Sequence, residues 1–175
     1  LYLLAYYTNV VGLSAHLAGL AAGLAIAWDA AIDPVMGLIS DRTRHRFGGR
    51  RGYLLPGGVL LAIGTVWVFT APPFDSQGTK FAWLLGAYCF LNTGMTVLTV
   101  PYWAMAGEIT SDPHERTKLF GARFAFSNLG AFVAAALPLL FLSANGTDNA
   151  ATLPSVGIAA ALLVLVTSAV SWRAT

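Results

Sequence analysis

Charge is what this sequence most lacks: 10% of its 175 residues are Asp, Glu, Lys or Arg and 57% are hydrophobic, where a soluble globular chain carries about a quarter charged residues. That deficit excludes an ordinary soluble enzyme and places the chain in a bilayer. Cysteine is nearly absent too. The one thiol, Cys89, stands in an apolar run, which excludes a disulfide framework and makes it a small hydrophobe. The opening stretch has no basic residue, so it lacks the charged start of a secretory signal. It also lacks a methionine. Leu1 lies inside an apolar stretch, and the chain therefore reads as a fragment whose first span is cut short.

A membrane-crossing helix needs about 20 mostly apolar residues, and the sequence predicts six spans, near 1–12, 16–40, 53–73, 80–106, 118–142 and 153–172. The expected fold class is an all-α membrane protein, with short breaks that make neighbouring helices antiparallel. Arg42, Arg44, Arg46, Arg50 and Arg51 crowd the loop after span two, Arg116 and Lys118 follow span four, and Arg173 follows span six. The other side offers Lys80. Because cytoplasmic loops carry the Lys and Arg excess, these loops and both ends of the chain are expected on the cytoplasmic side of an inner or plasma membrane. A nucleic-acid patch in the arginine run would leave the flanking spans unexplained. Asp112-Pro113-His114-Glu115 has a capping acid, proline at the first helical position and an acid two residues on, a signal for a helix start.

Two acids stand inside span two. Asp29 and Asp33 each cost about 2.5 to 3.5 kcal/mol or more at such depth. At a spacing of four they share one helical face, about 6 Å apart, and repel unless one is protonated or a cation bridges them. Both answers describe a site for a coupling ion, H⁺ or Na⁺, that a transport cycle could fill and empty. The alternative is neutralisation by a basic side chain within a span, for which Arg123 is the candidate. Pro34 frees the Ala30 carbonyl close to the acids, and Thr96 in span four can add a hydroxyl, giving oxygen ligands of the kind hard cations prefer.

Span four carries Asn92, Thr96, Thr99 and Trp103 at spacings of four, three and four, one polar stripe where lipid contact would favour none. Each hydroxyl could instead link helices; the stripe as a whole points to a shared interior. Tyr2, Tyr6 and Asn9 continue it in span one, and Arg123 and Ser127 in span five. Span three has no ionisable group beyond Tyr53 and span six none before Arg173, and both read as peripheral. Trp67, Trp83 and Trp172 read as anchors or packing residues.

Trp28-Asp29-Ala30-Ala31-Ile32-Asp33-Pro34-Val35-Met36-Gly37, followed by Ser40-Asp41-Arg42-Thr43-Arg44, resembles the helix-two signature of melibiose-type carriers, the glycoside-pentoside-hexuronide:cation symporter family of the major facilitator superfamily. The resemblance continues through Phe47-Gly48-Gly49-Arg50-Arg51, Val100-Pro101-Tyr102-Trp103-Ala104, Glu108, Glu115-Arg116-Thr117 and Ala122-Arg123-Phe124, in order along nearly the whole chain. It implies the N-terminal six-helix bundle of such a carrier, with a C-terminal six-helix half elsewhere, and a cation-binding set of Asp29, Asp33 and Thr96. It further implies a substrate cavity at Trp103 and Arg123. Sugar-carrying members have an aspartate where this chain has Thr99, so a galactoside like melibiose is not implied; other glycosides, sugar acids and lysolipids are transported in the family. The arginine loop matches the superfamily's motif between helices two and three, with Gly37 admitting a close helix and Asp41 pairing with a base. A cytoplasmic latch is expected, in which Glu108 or Glu115 pairs with Arg50 or Arg51.

These readings combine in a secondary active transporter, not an enzyme, that carries a small molecule, a sugar or a lysolipid, with a cation. The expected substrate-binding residues are Thr99, Trp103, Arg123, Asn92 and Tyr6; no cofactor beyond the coupling ion is expected. A membrane transferase holding Mg²⁺ against a diphosphate would want more acids than the two inside the spans. A noncatalytic membrane scaffold, the remaining alternative, would use the polar stripes only to join helices.

Overall fold

The computed structural model describes residues 2–43, 49–108, 112–145 and 149–174, with the backbone alone for residues 2, 106–108, 137–145, 149–153 and 174. Six α-helices follow in order: α1 (Tyr2–Asn9), α2 (Ala15–Arg42), α3 (Leu54–Val68), α4 (Gln77–Glu108), α5 (Pro113–Asn145) and α6 (Asn149–Ala174), with a 3₁₀ turn over Gly49–Tyr53 before α3. Five helical stretches, α2, α3 together with the 3₁₀ turn before it, and α4 to α6, are long and apolar enough to cross a membrane. The chain is a multi-pass membrane protein.

Departures from the expected spans have local causes. Helix α3 ends at Val68, five residues early, because Pro72 and Pro73 pull the preceding backbone out of the helical region. Helix α5 begins at Pro113 and not at 118. The Asp112 carboxylate accepts the His114 N–H at 2.9 Å and the Asp112 carbonyl accepts the Arg116 N–H at 3.0 Å, so the capping signal opens the long helix itself.

The turn between α1 and α2 takes a left-handed glycine, Gly12, with φ of 74°. Side chains from the start of α4 grip it. Gln77 donates to the Gly12 carbonyl at 2.7 Å and accepts the Ser14 N–H at 3.0 Å, while the Lys80 ammonium donates to the Val11 carbonyl at 2.7 Å. Beneath this clamp Tyr6, Tyr7, Leu13, Ala18, Ala21 and Leu84 form a core cluster. Alanines at 18, 21 and 25 of α2 are buried; their small side chains let α1 and α4 come close.

Helix α3 is wedged between α4 and α6 by glycines. A Cβ on Gly94 of α4 would meet the Leu61 nitrogen at 2.6 Å, and one on Gly64 of α3 would meet the Leu91 Cα at 2.8 Å. With no side chain at these points the two backbones touch, the small-residue packing used where lipid offers no hydrophobic drive for helices to associate. On its other side α3 meets α6, where Gly58 faces Ser168 and Gly157 faces Phe69. The glycines therefore fix where the rigid block of α3, α4 and α6 holds the polar residues of α4.

Gly94→Ala is expected to lower the thermal midpoint of the detergent-solubilised protein, by the equivalent of about 1–3 kcal/mol for overpacking. Gly23→Ala, whose Cβ would meet nothing within 4 Å, should leave it unchanged or raise it. Equal midpoints for the two variants would refute the close approach of α3 and α4.

Candidate functional site

Helices α2 and α4 meet along a polar seam. The Asn92 amide donates to the Ala25 carbonyl at 3.0 Å, and the Trp28 indole N–H donates to the Thr93 hydroxyl at 3.0 Å. One turn further along, the Thr96 hydroxyl lies 3.1 Å from an Asp29 carboxylate oxygen and 2.9 Å from one of Asp33. The pairs advance in the same direction on both helices, so α2 and α4 run parallel here. Thr96 is 2% exposed, Asp29 is half-buried and Asp33 faces the open side of the bundle.

A threonine hydroxyl has one proton to give. It can donate to one carboxylate; the second oxygen at contact distance then needs a proton of its own or a shared cation. Two bare carboxylates about 6 Å apart would repel by on the order of 3 kcal/mol at an effective dielectric near 20. Arg123 does not offset that repulsion. Its guanidinium lies 4.8 Å from the Trp103 ring centroid and 5.7 Å from that of Tyr102, and among the described residues neither aspartate forms a salt bridge.

Arg123 instead lines a cleft of about 770 Å³ between α4, α5 and α6, together with Thr99, Trp103, Ser127, Thr167 and Ser171. All of these lie in the halves of their helices nearest the arginine loop. Thr99 follows Thr96 by three residues, so α4 carries both the acid-contacting hydroxyl and one wall of the cleft. The hydroxyls of α6 went unnoticed in the sequence because the helix has no charge before Arg173. Its apolar background hid a serine and threonine face at 167, 168 and 171.

Two expected substrate contacts lie elsewhere. Asn92 spends an amide hydrogen on the Ala25 carbonyl and acts as a link between helices. Tyr6 is 2% exposed in the core at the far end, with its ring edge-on to Tyr7 at 5.4 Å and beside Phe69. Its large apolar ring fills the space the alanines of α2 leave open.

Comparison with known proteins places this geometry in a family. The profile described as MFS/sugar transport protein matches residues 1–175. YagG, a candidate glycoside/cation symporter of Escherichia coli strain K12, is 40% identical over 152 residues, covering 85% of this chain and 33% of its own length. The inner membrane symporter YicJ of the same strain is 34% identical over 149 residues, 85% of this chain and 32% of its own. The isoprimeverose transporter of Lactiplantibacillus pentosus is 32% identical over 152 residues, 86% of this chain and 32% of its own. The chain belongs to the glycoside-pentoside-hexuronide:cation symporter family of the major facilitator superfamily. It spans about a third of the length of the curated relatives it matches.

The 3₁₀ turn that carries Arg50 and Arg51 in this symporter-family chain is held in two places. Arg50 donates to the Asp41 carboxylate at 2.7 Å, closing the end of α2 onto the 3₁₀ turn, where the Thr43 and Tyr53 hydroxyls also pair. Arg51 donates through Nε and a terminal nitrogen to the Trp172 carbonyl and stacks 5.6 Å from that ring. It thereby binds the carbonyl end of α6, the negative end of a helix dipole. The expected pairing of Glu115 with an arginine is replaced by a contact of 3.4 Å with Lys118, one turn along its own helix. The side chain of Glu108, and Arg44 and Arg46, lie outside the described residues. Arg42 is exposed at the end of α2. Gly37 has open space where a Cβ would sit. The close approaches fall on glycines of α3, α4 and α6, because in this bundle no described helix crosses the face that Gly37 presents.

Asn92→Leu and Trp28→Phe remove links across the seam and are each expected to cost about 0.6 kcal/mol, up to roughly 1.7, in thermal unfolding of the full-length carrier. If neither residue contacts a ligand, the affinity for any solute that the full-length protein binds should stay within about threefold. A stability unchanged alongside a lost affinity would return Asn92 to the ligand-binding residues.

Proposed function

We propose that this chain is the N-terminal half of a cation-coupled symporter that carries a sugar or glycoside-like solute by alternating access. The observation that carries the reading is the single Thr96 hydroxyl in contact with both Asp29 and Asp33. Residues in that arrangement hold one monovalent positive charge, H⁺ or Na⁺, and release it when the seam meets water. Family membership supports the same coupling, since relatives of this chain are named cation symporters. The names glycoside/cation symporter and isoprimeverose transporter support a sugar or glycoside as the solute.

In this reading the solute sits in the cleft of Thr99, Trp103 and Arg123, with the Trp103 ring, 53% exposed, as a face for the apolar side of a sugar ring. Helix α4 joins the two events: Thr96 responds to the charge on the acids and Thr99, one turn away, to the solute. A second six-helix half, outside this chain, completes the cavity at the midplane, as transporters built from repeated halves require. The arginine-rich end faces the cytoplasm across a cytoplasmic membrane, by the excess of Lys and Arg there. Asp41, Arg50 and Arg51 brace that end while the cavity opens to the other side.

Reconstituted full-length carrier should take up solute against its gradient when a Na⁺ or H⁺ gradient is imposed, and Asp29→Asn or Asp33→Asn should abolish that accumulation. Thr96→Val should lower it by tenfold or more, and Thr96→Ser should restore most of it, because the hydroxyl returns. Accumulation that survives both aspartate changes would remove the pair from the coupling step.

A further inference from the structure

An apolar track on the outside of the bundle leads from two arginines to a groove between α3 and α6. On α3, Leu55, Val59, Ile63 and Val66 recur every three or four residues and share one face, exposed from Val59 onward. Gly57 and Gly64, which meet α4, lie on the other side of the helix. On α6 the same spacing aligns Ile158, Leu162, Leu165, Ala169 and Trp172. Thr167 and Ser171, which line the cleft of Arg123, fall on another face, so the track is separate from that cleft. Along it the buried Ala62 and Ala161 floor an apolar groove of about 450 Å³, walled by Ile63, Val66, Ile158 and Leu162.

The track ends at charge. Arg51 and Arg173 stand where the spans of α3 and α6 stop, beside Trp172, which is 39% exposed as an aromatic anchor at a membrane surface is. Arg51 spends Nε and one terminal nitrogen on the Trp172 carbonyl. A carbonyl and an indole ring attract a cation but cancel none of its charge. Asp41, the nearest acid in sequence, is taken by Arg50, and among the described residues no acid pairs with Arg51 or Arg173. From Trp172 to Leu165 the helix rises about 10 Å, within the roughly 15 Å of hydrocarbon that one leaflet supplies. A chain whose head lies at the arginines therefore reaches the groove.

We propose that α3 and α6 form a binding site for an anionic phospholipid such as phosphatidylglycerol, its phosphodiester between Arg51 and Arg173 and one acyl chain laid along Val59 and Ala169 into the groove. Phosphate oxygens match the donor fork of arginine, and basic sites between membrane helices select anionic headgroups in this way. A zwitterionic lipid would bring its own ammonium against two guanidinium groups. The opposite leaflet offers no such partner: the Lys80 ammonium at that end is spent on the Val11 carbonyl inside the bundle.

The test places the purified full-length protein in bilayers of phosphatidylcholine and phosphatidylglycerol, one or the other brominated on the distal half of its chains, and reads quenching of tryptophan fluorescence. Phosphatidylglycerol should be preferred about fivefold, the scale of a basic residue at an anionic surface. Trp67→Phe should remove much of that preferential quenching, because Trp67 lines the groove. Arg51→Gln combined with Arg173→Gln should bring the preference close to one while quenching by phosphatidylcholine, unchanged, shows the variant folded. Arg173→Gln alone should lower it and Arg173→Lys should keep it. Phosphatidylethanolamine, with the same phosphate and an ammonium, should behave as phosphatidylcholine does. Equal quenching by the anionic and zwitterionic lipids overturns the proposal, as does a preference that survives the double change. A loss as large in Arg42→Gln, at the tip of α2, as in Arg173→Gln overturns it in favour of general surface charge. Displacement of the brominated lipid by soluble glycerol 3-phosphate overturns it in favour of a free phosphate ester, and a preferential quenching kept in full by Trp67→Phe overturns the groove as the seat of the chain.

Discussion

One proton must serve two carboxylates, and the arrangement of α2 against α4 follows from that shortage. Asp29 and Asp33 stand one turn apart on the same face, so whatever helix lies opposite must meet both at once. Thr96 does so with a single oxygen at 3.1 and 2.9 Å. A larger or more polar residue at this depth would bring further groups needing partners; a valine would leave both acids without a donor. The neighbouring links, Asn92 to Ala25 and Trp28 to Thr93, hold the register that keeps Thr96 between the acids. The seam thus has fixed links at Asn92 and Trp28 and, beside them, one hydroxyl shared by two carboxylates.

The rigidity comes from the other side of α4. Glycines at 64 and 94 let the α3 and α4 backbones touch, and α6 packs on the far face of α3. At one end Lys80 and Gln77 clamp the turn between α1 and α2; at the other Arg51 ties the loop to the last turn of α6. The exposed Asp41–Arg50 pair by itself contributes about 0–1 kcal/mol. Its effect lies in geometry, since it holds the 3₁₀ turn that carries Arg51 against the end of α2.

What the sequence disclosed, and what it hid, divides along physical lines. An acid inside an apolar span has so few stable explanations that Asp29 and Asp33 could be found from cost alone. The capping signal at Asp112 and Pro113 located a helix start for a similar reason: each residue there does something only a helix terminus needs. Neutral residues gave no such lever. Tyr6, Asn92 and Thr99 lie on polar stripes of the same kind, yet Tyr6 is core, Asn92 joins two helices and Thr99 lines the cleft. A hydroxyl or amide fits lipid-side packing, a helix seam or a ligand site equally well until its neighbour is known. Gly37 shows the same limit. A glycine announces that a side chain would be unwelcome somewhere, and only the crossing of two helices reveals where.

The hydroxyls of α6 carry the point further, because they were missed for want of charge and yet are read through a charge. Thr167 became significant only after Arg123 was placed across the cleft with aromatic partners and no acid. Had Arg123 reached the aspartates, as a structural salt bridge would need, the acids would be neutralised without an ion and the cleft would be uncharged. With Arg123 held by Trp103 and Tyr102 instead, positive and negative centres remain on separate walls joined by α4.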